Sequence, residues 1–230
     1  MSDLRERSYA TPRAVVFDLD GTLIDSARDI ADAVNHALER AALPALPLER
    51  VKGFVGDGAR SLLVRASGFD PADARVELLL ADFFAYYTAH GTTFTRPLPG
   101  ATEALVALEP RLPLALATNK ARGTTEAVLA ALELARYFRV IVAGGDPPQP
   151  KPSPEPLEYI AAQLGVETRE LVMVGDGPQD VLAGRAAGAR TVAVRGGMAA
   201  DERLLAAEPD AVLDSLAALP ALVERWTTAD

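Results

Sequence analysis

The sequence predicts an α/β fold: a doubly wound, Rossmann-like core on a parallel sheet, with a helical domain inserted after the first strand. Three observations carry that prediction. Short apolar runs alternate with amphipathic helical stretches over residues 97–230, the pattern of βαβ units whose sheet is covered on both faces. A first apolar run, Ala14-Val15-Val16-Phe17, stands alone near the N-terminus and flows into Asp18-Leu19-Asp20-Gly21-Thr22, a strand running into a glycine turn. Between the two, residues 26–91 read almost entirely as helix. The core is therefore assigned to 1–22 and 97–230, and the insertion to 23–96.

Within the insertion, Ser26-Ala27-Arg28-Asp29 opens a helix, with Asp29 placed to support its first turn. Ile30, Val34, Ala37, Leu38 and Ala41 follow at helical spacing until Leu43-Pro44 ends it. Val51, Phe54 and Val55 lead into a Gly56-Asp57-Gly58 turn, and 61–66 is helical again. Asp70-Pro71-Ala72-Asp73 has the composition of a helix start, a capping acid followed by Pro at the first position. The long helix that follows carries Val76, Leu79, Leu80, Phe83, Phe84 and Tyr87 and ends near Gly91. Its aromatic stripe, Phe83-Phe84 with Tyr86-Tyr87, reads as core of the insertion, and His36 and His90 as surface or core of the same unit. Arg96-Pro97-Leu98-Pro99-Gly100 is a stiff connector. Beyond it come helix 101–109, strand 112–117, helix 123–132, strand 140–143 and a Pro-rich loop at 147–156. Helix 157–164, strand 171–174, helix 181–187, strand 191–194 and a last strand at 211–213 complete the chain.

Composition narrows the function. The 230 residues are 49% hydrophobic and 24% charged, enough apolar material for a core and too much for a disordered chain. With 23 basic against 32 acidic residues the net charge is −9, which argues against a nucleic-acid-wrapping surface. One positive pocket for an anionic ligand remains compatible with it. Cys is absent, so thiolate metal sites and Cys nucleophiles are excluded, and His36 and His90 are too far apart to form a local metal motif. No run approaches a membrane span, and residues 1–13 lack the apolar stretch of a signal peptide, so a cytoplasmic protein is expected.

Open parallel sheets bind ligands at the carboxyl ends of their strands. There the sequence places Asp18 and Asp20 after the first strand, and Thr118 and Asn119 after the second core strand. The strand at 140–143 leads through a loop to Lys151, and the strand at 171–174 into Gly175-Asp176 and on to Asp180. Each element alone is ordinary turn or cap chemistry. Lys151 stands out because Lys52, Lys120 and Lys151 are the only lysines among the 23 basic residues. Acids, a hydroxyl, an amide and a lysine on successive strand ends form one candidate site.

These residues resemble the four motifs of the haloacid dehalogenase-like hydrolase superfamily, and within it the branch of bacterial phosphoglycolate phosphatases. Asp18-Leu19-Asp20-Gly21-Thr22-Leu23 is similar to the first motif, Thr118-Asn119-Lys120 to the second, Lys151-Pro152 to the third, and Gly175-Asp176 with Asp180 to the fourth. The insertion resembles the family's cap of the type placed after the first strand. Leu98-Pro99-Gly100, Gly144-Gly145-Asp146 and Val55-Gly56-Asp57-Gly58-Ala59-Arg60 resemble the phosphoglycolate branch. The chain departs from the fourth motif at Gly177, where the family usually has Ser, followed here by Pro178-Gln179. It departs again at Ala121, where Pro is frequent.

The resemblance implies a Mg²⁺-dependent phosphatase acting on a small phosphomonoester, 2-phosphoglycolate, through an aspartyl-phosphate. Asp18 is then the nucleophile and Asp20 the acid and base. Thr118, Asn119 and Lys151 bind the phosphate, while Asp18, Asp20 (through its backbone carbonyl) and Asp176 bind the metal. Asp180 supports Lys151 or a metal-bound water, and Arg60 of the cap is the candidate partner for the substrate's second anionic group. The expected partner is a small phosphorylated metabolite, with no nucleic acid and no membrane; monomer and homodimer are both left open. A dehalogenase needs no acid at Asp20, and a phospho-Asp receiver has no such insertion. A phosphomutase of the beta-phosphoglucomutase type keeps every core residue and stays the alternative, beside a phosphatase with another small substrate.

Overall fold

The computed structural model describes residues 9–146 and 149–228. The first eight residues of the N-terminal arm and Pro147-Pro148 of the Pro-rich loop thus lie outside the described residues. In chain order the elements are β1 (Ala14–Phe17), β2 (Ile24–Asp25), α1 (Ala27–Arg40), α2 (Leu48–Lys52), α3 (Gly58–Ser67), α4 (Arg75–His90) and β3 (Arg96–Pro97). They continue as α5 (Ala101–Leu108), β4 (Leu114–Ala121), α6 (Arg122–Ala131), β5 (Phe138–Gly144), α7 (Glu155–Leu164), β6 (Leu171–Gly175) and α8 (Pro178–Ala187). β7 (Arg190–Val194), α9 (Asp201–Ala206), β8 (Ala211–Leu213) and α10 (Leu219–Thr228) complete the chain.

Six strands form one parallel sheet in the order β5-β4-β1-β6-β7-β8, the doubly wound α/β architecture the sequence predicts. β1 lies between β4 and β6, with Val15 beside Leu114 and Val172. Its four residues are all buried because successive side chains enter opposite cores. Val15 and Phe17 pack with α5, α6 and α10, and Ala14 and Val16 with α7 and α8. A continuous apolar run is what such a strand requires. α10, absent from the predicted elements, contributes Leu219, Leu222 and Val223 to the first of these cores.

The insertion has its own core. Ile30, Val34 and Leu38 of α1 meet Val51 of α2, Leu63 of α3 and Leu79, Phe83 and Tyr87 of α4. His36, Tyr86 and His90 stack along its flank, with ring centroids 4.6 and 4.5 Å apart. The connector at 96–100 is more ordered than predicted, because Arg96–Pro97 pairs antiparallel with Ile24–Asp25 and Leu98 N donates to Leu23 O at 2.9 Å. Entry and exit of the insertion thus form one two-stranded neck. Asp29 fastens it. Instead of supporting its own helix turn, its carboxylate accepts from Thr95 N at 2.8 Å, Thr95 Oγ1 at 2.7 Å and Phe94 N at 3.0 Å.

One helix start is corrected. α4 begins at Arg75, not at Asp70, because Asp70 and Asp73 each bind a backbone N–H two residues on, Ala72 at 2.8 Å and Arg75 at 2.9 Å. Two consecutive Asx turns compete with the helix there. No helix among the described residues is long and apolar enough to cross a membrane.

Candidate active site

The carboxyl edge of the sheet gathers the predicted residues. Asp18 leaves β1 with its N–H bonded to Val174 O at 2.9 Å, so the chain is still in register with β6 when the carboxylate emerges. Gly21 then turns the chain at φ +85°, where a side chain would collide with Asp176 and Met198. β4 runs further than predicted, to Ala121. Its pairing with β5 slips between Ala117 and Ala121, so Thr118, Asn119 and Lys120 leave the regular ladder and turn toward the site.

Lys151 is the centre of charge. Its Nζ lies 2.9 Å from Asp18 Oδ1 and 2.6 Å from Asp180 Oδ1, and all three side chains are nearly or fully buried. Burial opposes the ammonium, but Asp18 and Asp180 together outweigh that and raise the Lys151 pKa. Asp180 also accepts from Gly177 N at 3.0 Å, fixing the loop before α8. Asp176 accepts from Thr22 Oγ1 at 2.8 Å and from Met198 N at 2.6 Å.

One lysine does not balance three buried carboxylates. Burial, reinforced by Asp18, pushes Asp176 up to about 6. Burial pushes Asp180 up to about 8, with Lys151 pulling the other way. Asp18, Asp176 and Asp180 each offer an oxygen within 4.8 Å of the others, a hard-donor cluster with surplus negative charge. Such a cluster fits a divalent cation of the Mg²⁺ class. The Asp20 carboxylate stands apart. It accepts from Ser26 Oγ at 2.5 Å and from Lys120 Nζ at 3.1 Å through both oxygens.

Two of the predicted site residues have partners within the protein. Both side-chain amide protons of Asn119, predicted to bind phosphate, are engaged, with Gly56 O at 2.9 Å and Lys151 O at 2.8 Å. Its Oδ1 accepts from Lys151 N at 3.0 Å, so the side chain fastens the lysine loop and the insertion together. Arg60, expected to meet the substrate, pairs with Glu77 and the Pro71 carbonyl, at the rim of a cavity that also borders Thr118 and Lys151. Thr118 is buried and lines both this cavity and a second one beneath the insertion. That second cavity is bounded by Asp18, Asp20 and Lys120 below and by Leu62, Phe83 and Tyr87 above.

Nothing in the structure explains the Gly177 departure: a Cβ at 177 would meet only the folded-back amide of Gln179, the movable end of a side chain that also sits against Gly56 of the insertion. Pro178 occupies the first turn of α8, where its missing N–H is harmless. Ser26, Lys120, Tyr87, Gln179 and Met198 are the residues sequence reasoning missed. For Lys120 a signal existed, since it is one of three lysines and adjoins Thr118-Asn119.

Residues 15–194 match the family model described as haloacid dehalogenase-like hydrolase. A phosphoglycolate phosphatase of Neisseria meningitidis is 41% identical over 214 residues, covering 89% of this chain and 90% of that protein. The phosphoglycolate phosphatase of Escherichia coli K12 is 35% identical over 232 residues, covering 91% and 92%. A crystal structure described as a predicted phosphoglycolate phosphatase from Haemophilus somnus superposes with a TM-score of 0.87 at 27% identity, covering 93% of this chain and 98% of that one.

Proposed function

The chain belongs to the haloacid dehalogenase-like hydrolase family and is a phosphoric monoester hydrolase; from that premise we propose that it hydrolyses 2-phosphoglycolate through an aspartyl-phosphate on Asp18. The observation that carries this reading is the buried Lys151 beside Asp18, whose carboxylate lies at the floor of a cavity roofed by the insertion. The names of the relatives point to the same substrate.

A phosphomonoester and a carboxylate nucleophile are both anions, so positive charge must come first. Lys151 and the Thr118 hydroxyl meet the phosphoryl oxygens. Asp18 and Asp176, with the Asp20 carbonyl, would hold Mg²⁺, which supplies further neutralisation of the two anions. Asp18 forms the new O–P bond as the ester O–P bond breaks, and Asp20 delivers a proton to the departing alkoxide. Asp20 then takes a proton from water, which attacks phosphorus, frees inorganic phosphate and restores Asp18. Asp180 keeps Lys151 in place. The insertion, 23–96, acts as a cap that excludes bulk water and reads the organic part of the substrate. Measuring phosphate release from a panel of small phosphomonoesters with Mg²⁺ tests the assignment. Markedly better turnover of another substrate than of 2-phosphoglycolate would overturn it.

The metal has a signature without turnover. Asp176 and Asp180 bind protons more tightly folded than unfolded, so stability falls as pH rises from about 4 through their folded values of about 6 and 8. Metal-free protein is therefore expected to melt at a higher temperature at pH 5.5 than at pH 8. Mg²⁺, which binds the deprotonated carboxylates, is expected to raise the melting temperature more at pH 8. Calorimetry in two buffers of different ionisation heat should show proton release on binding. Chelator should abolish phosphate release. Equal stabilisation by Mg²⁺ at both pH values would count against a metal on these carboxylates.

Arg60 is proposed to meet the substrate carboxylate. Its pair with Glu77 is exposed, so exchanging one carboxylate for another costs little. Arg60→Ala is expected to lower kcat/KM for 2-phosphoglycolate by roughly ten- to a hundredfold, the ~1.5–3 kcal/mol of a charge-assisted hydrogen bond. p-Nitrophenyl phosphate, which has no carboxylate, should lose far less. Equal losses would assign Arg60 to the fold or the phosphate instead.

A further inference from the structure

We infer that Lys120 and Tyr87 are positioning residues for Asp20, so that the proton donor is held for reaction only when the helical insertion is docked. The inference rests on the reading of Asp20 as acid and base given above.

Asp20 is gripped from two sides. Ser26, just past β2 of the neck, donates to Oδ1 at 2.5 Å, and Lys120 Nζ of β4 reaches both carboxylate oxygens at 3.1 Å. Lys120 in turn is completed by the insertion: its Nζ donates to Tyr87 Oη of α4 at 2.8 Å and lies 4.5 Å from the centre of that ring. The lysine side chain is only 8% exposed. Among the residues lining the cavity beneath the insertion it is the one cationic side chain, and among the described residues Tyr87 is the one of the insertion to which its ammonium donates. A buried ammonium needs each of its partners. With the insertion swung away, water would replace Tyr87, and the Lys120–Asp20 contact would become an exposed pair of the weak kind. Docking of α4 therefore fixes Lys120, and Lys120 fixes the carboxylate. Tyr87 is itself locked by stacking on Phe83, with centroids 5.5 Å apart at 11°, so the hydroxyl can be removed without disturbing the ring.

The test uses the Mg²⁺-loaded full-length enzyme and two substrates. 2-Phosphoglycolate leaves as an alkoxide that needs a proton, whereas p-nitrophenyl phosphate leaves as a phenolate that does not. kcat/KM is compared because it covers only the steps through leaving-group departure. Asp20→Asn is the reference and is expected to lose far more on phosphoglycolate than on the nitrophenyl ester. Tyr87→Phe is expected to lower phosphoglycolate kcat/KM by ~5–10-fold, the effect of one hydrogen bond to a charged group's network. Lys120→Met is expected to lower it by ~10²-fold, the lower end of what positioned acid catalysis contributes. Both variants should lose several-fold less on the nitrophenyl ester, and the double variant should be no worse than Lys120→Met alone, since both act through one path. If Asp20→Asn shows no leaving-group preference, the acid role itself fails. If Asp20→Asn shows it while Tyr87→Phe and Lys120→Met affect both substrates equally, or neither, the positioning role is overturned and the acid role stands. Should Lys120→Met fail to fold, Tyr87→Phe decides the question alone.

Discussion

Asp18→Asn is expected to lower turnover of every phosphomonoester by more than about a hundredfold while leaving the metal-free protein as stable as the parent or more so. The activity loss follows from chemistry. The amide is nearly isosteric but a poor nucleophile, and general-base help to water is worth only ~10²–10⁴-fold on its own. Retention of more than about a hundredth of the parent activity would therefore overturn the covalent route. The stability sign follows from the crowding of charge. Asp18 is one of the groups that raise Asp176 and Asp180, so removing its charge relieves both. The cost is one lost pairing to Lys151, which keeps Asp180 at 2.6 Å. A catalytic group that the fold would be more stable without is a familiar trade. Thermal melts at pH 8 in chelator, beside single-turnover phosphate release, measure the two effects separately.

Lys151→Met perturbs the same cluster in the opposite direction, and both effects should be losses. Removing a preorganised charge from a water-excluded site is expected to lower kcat/KM by ~10²–10³-fold. It also leaves Asp18, Asp176 and Asp180 without their cation, and breaking a buried pair on one side costs about 3–5 kcal/mol. The pH dependence separates this from a packing defect. Without the ammonium Asp176 and Asp180 hold protons still more tightly, so the destabilisation should be largest near pH 8 and shrink as pH falls. Pairing it with Asp180→Asn should recover stability and not activity. A loss of stability equal at pH 6 and pH 8 would mean that the methionine simply packs badly.

The sheet was legible because each strand is an apolar run closed by a polar residue, as Ala14–Phe17 before Asp18 and Leu171–Gly175 before Asp176. The chemical residues were legible for the same reason: a strand end fixes its own next residue in space. What could not be read were contacts across the seam between insertion and core. Tyr87 and Lys120 are 33 positions apart and Lys120 and Asp20 are 100 apart, and no local pattern announces either pairing. The side-chain partners of Asn119, Gly56 O and Lys151 O, are backbone atoms invisible to any motif. Ser26 was correctly placed before a helix, yet its hydroxyl goes to Asp20 rather than to the helix end. The start of α4 was misplaced because Asp70 and Asp73 favour turns as readily as caps.

The neck formed by Ile24–Asp25 and Arg96–Pro97 has an architectural consequence. Because the chain leaves and re-enters the sheet through paired neighbours, the ends of the insertion lie about one strand spacing apart, ~4.8 Å. To the sheet, everything between Leu23 and Leu98 is a loop already closed, and its length adds only slowly to the entropy of closure. The insertion is thus a cassette: another helical unit with the same end spacing could be spliced in without moving β1 or β4. The sheet is then indifferent to what fills the cassette, and a replacement would have to supply anew what Tyr87 and Gly56 give the site from across the seam.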